Sequence, residues 1–305
     1  MNNEQGILRT SIIVTIIVAG FGVIFGLLAG SFSIVFDGVY MLADAAMSGL
    51  ALGVARLIAL SAVPTGKLRE RFTMGFWHLE PMVLGLNGIM LSGVAIYALI
   101  NAIGSLMSGG RDLEFSFAIF YAAIALIACT GMAVLETRMN KQLRSDFVAL
   151  DAKAWIMSGG ITAALLVAFS VGYAIEGTQL DWITPYIDPA VLALVCIIII
   201  PLPIGTIRQA LADIFLVTPP ALKLHVDTVA QGFVERYGFI SYRAYVAKVG
   251  RGKQIELYFI VPAGWPAKRL EEWDAIRDEI GDAIGGESTD RWLTIAFTTD
   301  VEWAT

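Results

Sequence analysis

The side chains that usually carry chemistry are scarce in this chain. Of 305 residues, two are histidine (His78 and His225) and two are cysteine (Cys129 and Cys196). With no HExxH and no CxxC spacing, neither a zincin helix nor a thiolate cluster is indicated. The cysteines stand alone in apolar runs and read as inert buried thiols. No nucleophile and base pair is visible, so an enzyme is not expected and no cofactor is implied. Charged residues make up 16% of the chain, and the net charge is -6. Without a basic patch, a nucleic-acid partner is excluded. Met1 to Thr10 is polar and lacks a small-residue cleavage site, so the first apolar run is expected to be retained.

What fills the chain instead is hydrocarbon. A hydrophobic content of 57% and a mean hydropathy of +0.71 exceed the ~45–50% apolar share of soluble domains and indicate an integral membrane protein. Six stretches approach the ~20 apolar residues needed to span a bilayer: Thr10–Ala29, Phe32–Leu60, Pro81–Met107, Phe115–Leu135, Phe147–Ile175 and Pro189–Leu211. Charges are sparse up to about Ala212 and dense afterwards. The expected organisation is a six-span all-α membrane domain over 1–212 and a cytoplasmic domain over 213–305. Arg9, Lys67, Arg69, Arg71, Arg138, Lys141 and Arg144 sort to one side of the spans and Arg111 to the other. The positive-inside rule then puts both termini of this multi-pass protein in the cytoplasm.

Small residues recur at every fourth position in the first span (Gly22, Gly26, Gly30) and the second (Ala45, Gly49, Gly53), a spacing that lets helices approach closely. Pro201 and Pro203 should bend the sixth span or displace its backbone bonds. The tail reads as helix (Pro220–Arg236), strand (Ile240–Val249), a Gly250–Arg251–Gly252 turn, strand (Gln254–Val261), helix (Ala267–Ile284) and strand (Trp292–Thr298). This α-β-β-α-β order predicts a small ferredoxin-like α+β sandwich.

Within the apolar second run stand Asp37 and Asp44, and ionisable residues at bilayer depth mark function. Seven helical residues make about two turns and rise about 10.5 Å, so the two carboxylates share a face but not a layer. Tyr40 lies between them on that face and completes a polar ladder. The fifth run adds Asp151, with Asp146 at the interface. Lys153 is about 200° around the helix from Asp151, which leaves that acid free to face the second span. A divalent cation crossing hydrocarbon needs ligands to replace its water, and carboxylates supply both ligands and counter-charge.

These features together resemble the cation diffusion facilitator family. The likeness rests on six spans with acids on the second and fifth, Gly75-x-x-x-x-Glu80 opening the third, Asp188–Pro189 opening the sixth, and the α-β-β-α-β tail. The chain looks most like a bacterial branch predicted to carry cobalt, zinc and cadmium. The resemblance implies a homodimeric antiporter that exports a divalent cation in exchange for protons. It also implies a four-ligand transport site, with Tyr40 and Asp44 at the first pair of positions and Asp151 and Trp155 at the second. Only two of those four positions keep a carboxylate. Asp37 matches an acid that some zinc-transporting members carry one turn earlier. The candidate metal residues are therefore Asp44, Asp151, Asp37 and Tyr40. An oxygen-only set favours harder ions such as Mn(II) or Fe(II) over zinc.

Other polar residues have plainer expectations. His78 should be interfacial or pair with Glu80, His225 should sit on a solvated helix face, and Glu80 should balance the start of the third span. Asn87 and Asn101 should bond between helices. Trp77, Trp155 and Trp182 suit interfacial anchoring, with Trp155 also placed to shape a cavity. The tail lacks the His-rich metal sites of many family members, which leaves dimerisation as its role. Two further readings stand beside transport: a non-transporting membrane partner or sensor on the same scaffold, and, far behind, an intramembrane hydrolase.

Overall fold

The structure is a computed structural model and describes residues 2–61, 71–73, 75–143, 146–288 and 290–304. Lys67, Arg69 and Arg144, three of the cations that orient the chain, lie outside the described residues, as does the side chain of Asp146. Among the described residues, seven α-helices come first: α1 (Asn2–Ala29), α2 (Phe32–Ser61), α3 (Leu79–Met107), α4 (Phe115–Leu143), α5 (Asp146–Ile175), α6 (Thr184–Ile199) and α7 (Ile204–Ile214). Among the described residues, six segments are long and apolar enough to cross a membrane, the last running over Asp181–Ile214 through both α6 and α7. The helices outrun the apolar stretches because backbone groups at a membrane boundary are best satisfied by continuing the helical ladder. Pro201 and Pro203 act as expected: α6 stops at Ile199, and the Ile204 N–H bonds to the Pro201 carbonyl at 3.2 Å before α7 begins.

The chain divides into two compact units, residues 1–50 with 87–205, and 51–86 with 206–305. In the first, α1 and α2 are joined by a turn at Gly30, whose φ of +70° suits glycine. Small residues bring these helices together: a Cβ on Gly26 would fall 2.6 Å from the Val35 nitrogen, and one on Gly38 would fall 2.7 Å from the Ala19 carbonyl. The second triplet behaves otherwise. A Cβ on Gly49 or Gly53 would meet nothing within 4 Å, and both are exposed, so the packing expected there is not found among the described residues.

The start of α2 is held by Asp188 of α6, which is buried. Its carboxylate accepts the Ser31 hydroxyl at 2.6 Å and the Phe32 and Ser33 N–H groups at 3.0 and 3.3 Å, while the Ser33 hydroxyl donates to its carbonyl at 2.9 Å. One buried acid thus caps the orphan donors of another helix. The core beneath contains Ile34, Phe115, Tyr121 and Phe169, with Phe36, Ala98, Leu192 and Cys196 in a second cluster. Large apolar side chains such as Ile17, Leu27 and Ile127 face outward, as a lipid-facing surface requires.

The second unit contains the tail: α8 (Pro220–Tyr237), β1 (Ser241–Val249), β2 (Gly252–Ile260), α9 (Leu270–Ile284) and β3 (Arg291–Thr298). The sheet order is β1-β2-β3, antiparallel between the first pair and parallel between the second. The helices cover its apolar face, burying Val226, Phe233, Leu257, Phe259 and Ile280. The predicted element order holds, and every boundary falls within three residues of its expectation. His225 is exposed but not idle, since its Nε2 lies 3.0 Å from the Ile284 carbonyl at the end of α9.

In this unit the β1–β2 turn meets the head of α3. Arg251 donates from Nε and Nη2 to the two Glu80 carboxylate oxygens at 2.9 and 3.3 Å, and its backbone N–H reaches the same group at 3.2 Å. Glu80 is therefore partnered by the tail, whereas His78 is exposed. A Cβ on Gly252 would fall 2.6 Å from the Trp77 ring, so the hairpin lies against that indole. On the adjoining strand, Lys248 reaches Asp213 at 3.7 Å.

Candidate metal path

The four predicted site residues line a single cavity of about 230 Å³ in the first unit. Asp37, Tyr40 and Asp44 enter it from α2, and Asp151 enters it from α5. The 3.6-residue period of an unbroken α2 puts the ladder on one face, and the cavity follows that face. Lys153 is exposed, as its angular offset from Asp151 required. Ser33, Ser158 and Thr15 add hydroxyls, while Phe36, Leu91 and Leu192 supply apolar wall.

Each carboxylate has a distinct environment. Asp37 Oδ2 accepts the Tyr121 hydroxyl at 3.0 Å. Tyr121 is wholly buried, and Gly22 makes room for it, since a Cβ there would fall 2.7 Å from the phenol oxygen. Tyr40 packs its ring 5.6 Å from that of Phe36. Asp44 has the Asn87 side chain as a hydrogen-bond partner and Asp151 as its charged neighbour across the helices. Asn87 thus bonds between helices as expected, whereas Asn101 bonds back to Tyr97 of its own helix at 2.9 Å.

Trp155, at the position where a fourth ligand is implied, is buried and lines the same cavity, so it shapes the wall rather than anchoring at an interface. Its indole N–H donates to the Ser11 hydroxyl of α1 at 2.8 Å, and its ring packs with Cys129, Met132 and Ala133 of α4. Next to Asp151 the structure brings in a carboxylate absent from the predicted set, Glu136 of α4, which is fully buried. Hydropathy closes the fourth run at Leu135, one residue short, so Glu136 reads from sequence as an ordinary boundary acid. Only the continuation of α4 to Leu143 and its pairing with α5 give it depth. Tyr121 carries no polar signal in sequence, since a tyrosine in an apolar run is ordinary. Among the described residues, no three His, Cys, Asp or Glu side chains converge on one point. The carboxylates adjoin in pairs, Asp44 with Asp151 and Asp151 with Glu136.

Residues 8–215 match the cation efflux transmembrane domain. The chain belongs to the cation efflux family. A relative within reach of direct comparison is the manganese efflux system protein MneP of Bacillus subtilis (strain 168), 28% identical over 201 residues. That match covers 66% of this chain and 65% of the relative, so the chain spans just under two thirds of the curated protein it matches. The fold agrees with the cation efflux assignment: six membrane-capable helices are followed by a small domain with a three-stranded mixed sheet.

Proposed function

We propose that this protein is a secondary transporter that exports a divalent cation from the cytoplasm in exchange for protons, with Mn(II) or Fe(II) preferred over Zn(II), Co(II) and Cd(II). The observation that carries the reading is the cavity lined by Asp37, Tyr40, Asp44 and Asp151 with no imidazole or thiolate on its wall. Hard oxygen ligands suit hard ions, and the likeness to a manganese efflux system protein points the same way. In this reading Asp44 and Asp151 hold the ion together with water, Tyr40 hydrogen-bonds to that water, and Asp37 receives the ion one layer further on. Proton exchange follows because carboxylates must be deprotonated to bind a metal, so cation entering displaces protons. The tail acts in dimerisation, both termini face the cytoplasm, and the spans lie in a bacterial inner membrane.

Transport into inverted or reconstituted vesicles across a metal panel tests the preference. Mn(II) or Fe(II) uptake with counter-movement of protons is expected, and strong zinc transport without either of them sinks the preference. One observation favours a second reading, a non-transporting partner or sensor: two of the four implied ligand positions hold Tyr40 and Trp155. Metal uptake by vesicles with and without the protein separates the two, because a sensor alone would not move metal across the membrane.

A further inference from the structure

Glu136 is the least accounted-for polar group in the membrane domain. It is fully buried, yet neither carboxylate oxygen has a hydrogen-bond partner of ordinary geometry. Its polar neighbours are Asp151 and Ser11. Among the described residues no lysine, arginine or histidine forms an ion pair with it. A buried charge persists only when it is paired, bonded or bound to a cation. Here a second carboxylate lies beside it instead, an arrangement that holds only when the pair shares a proton or a cation.

The surroundings favour a ligand over a packing accident. Ser11 is fixed from the far side, since its oxygen accepts the Trp155 indole N–H at 2.8 Å. The tryptophan at an implied ligand position is thereby tied to α1, and the carboxylate count lost at that position is restored by α4. Asp151 interacts with both Glu136 and Asp44. Hard divalent ions that keep much of their water are bound through one or two carboxylates, so a pair suffices without a closed protein cage.

We infer that Glu136 and Asp151, flanked by the Ser11 hydroxyl, form a second binding station for a hard divalent cation between α1, α4 and α5, with Asp151 shared with the Asp44 station. This rests on the transport reading given above. On this view the site is displaced from the pair of helices α2 and α5 onto a third helix, and a cation is handed over by the carboxylate the two stations share.

The test is Mn(II) binding to the purified full-length protein, followed by electron paramagnetic resonance, together with Mn(II) transport in vesicles. Glu136→Gln is expected to weaken Mn(II) binding by about tenfold or more and to slow transport, with Glu136→Asp recovering part of both. If wild type binds and transports Mn(II) while Glu136→Gln does so unchanged, the station is refuted and the transport reading stands. If Glu136→Gln keeps its Mn(II) affinity and changes only proton movement, Glu136 is a proton carrier and the inference is likewise wrong. If wild type neither binds nor transports Mn(II) or Fe(II), both readings fall. Should Glu136→Gln not fold, Mn-soaked wild-type crystals decide: an anomalous peak within about 2.0–2.6 Å of both Glu136 and Asp151 supports the station, and a peak at Asp44 without one there overturns it.

Discussion

The ladder of Asp37, Tyr40 and Asp44 is a chain of different residues doing different work. Asp44 has a charged neighbour on α5, while Asp37 is held by the phenol of Tyr121. Asp44→Asn and Asp151→Asn are each expected to abolish metal-driven proton movement, checked by a pH-sensitive dye inside vesicles. A variant that moves protons normally would show that its residue is not a central ligand. Tyr121→Phe removes the hydroxyl that donates to Asp37, and should lower stability by about 1–2 kcal/mol while altering transport more than fold. Thermal unfolding in detergent and initial transport rates separate the two effects. At this scale the sequence was legible where a charge broke an apolar run, as at Asp37, Asp44 and Asp151. It was silent on Tyr121 and misleading on Glu136, because partnership and depth are properties of neighbouring helices.

Helices enter the site through their ends and their close approaches. Asp188 satisfies three donors at the start of α2, the helix that carries the ladder. Asp188→Ala leaves a buried hydroxyl and two N–H groups without that acceptor, and is expected to lower stability by about 2–4 kcal/mol. Asp188→Asn should do less damage, and the melting temperatures of the two variants check the order. Gly22→Ala would press its methyl on the Tyr121 oxygen and should destabilise by about 1–3 kcal/mol. The Asp188–Pro189 pair and the first glycine triplet were visible in sequence, though not what they touch. The second triplet shows the limit of spacing alone: Gly49 and Gly53 obey the same rule, yet a Cβ on either would meet nothing within 4 Å.

At the largest scale, two sets of charges tie the second unit together. The Arg251–Glu80 pair is partly exposed, so Arg251→Ala should lower stability by less than about 1 kcal/mol. It should nevertheless raise hydrogen exchange over 76–86 and 249–253, with β2 and α9 unchanged. In the tail, the Tyr237 hydroxyl and then Arg236 hold the Glu279 carboxyl below its ordinary value of 4.5. The contact with Glu279 in turn raises Tyr237 above 10.0. A depressed carboxyl contributes stability that is complete above pH 4.5 and lost as pH falls through its folded value. A raised phenol contributes stability that is complete below pH 10.0 and lost as pH climbs. Glu279→Gln should therefore melt the tail earlier at pH 6 but not at strongly acidic pH, read from fluorescence of Trp265 and Trp273 in the tail core.

Hydrophobic run length and charge distribution by themselves determined that this is a six-span membrane protein with an α-β-β-α-β tail, because a bilayer imposes length and backbone satisfaction on any sequence that crosses it. They also marked the carboxylates whose burial demands a reason. Which of those carboxylates adjoin one another was decided only by tertiary structure. The packing of α4 against α5 carried Glu136 to Asp151, and the bond from Trp155 to Ser11 drew the indole towards α1. A metal path is made by helices far apart in sequence, and the energy of a buried charge depends on what the other helices bring to it.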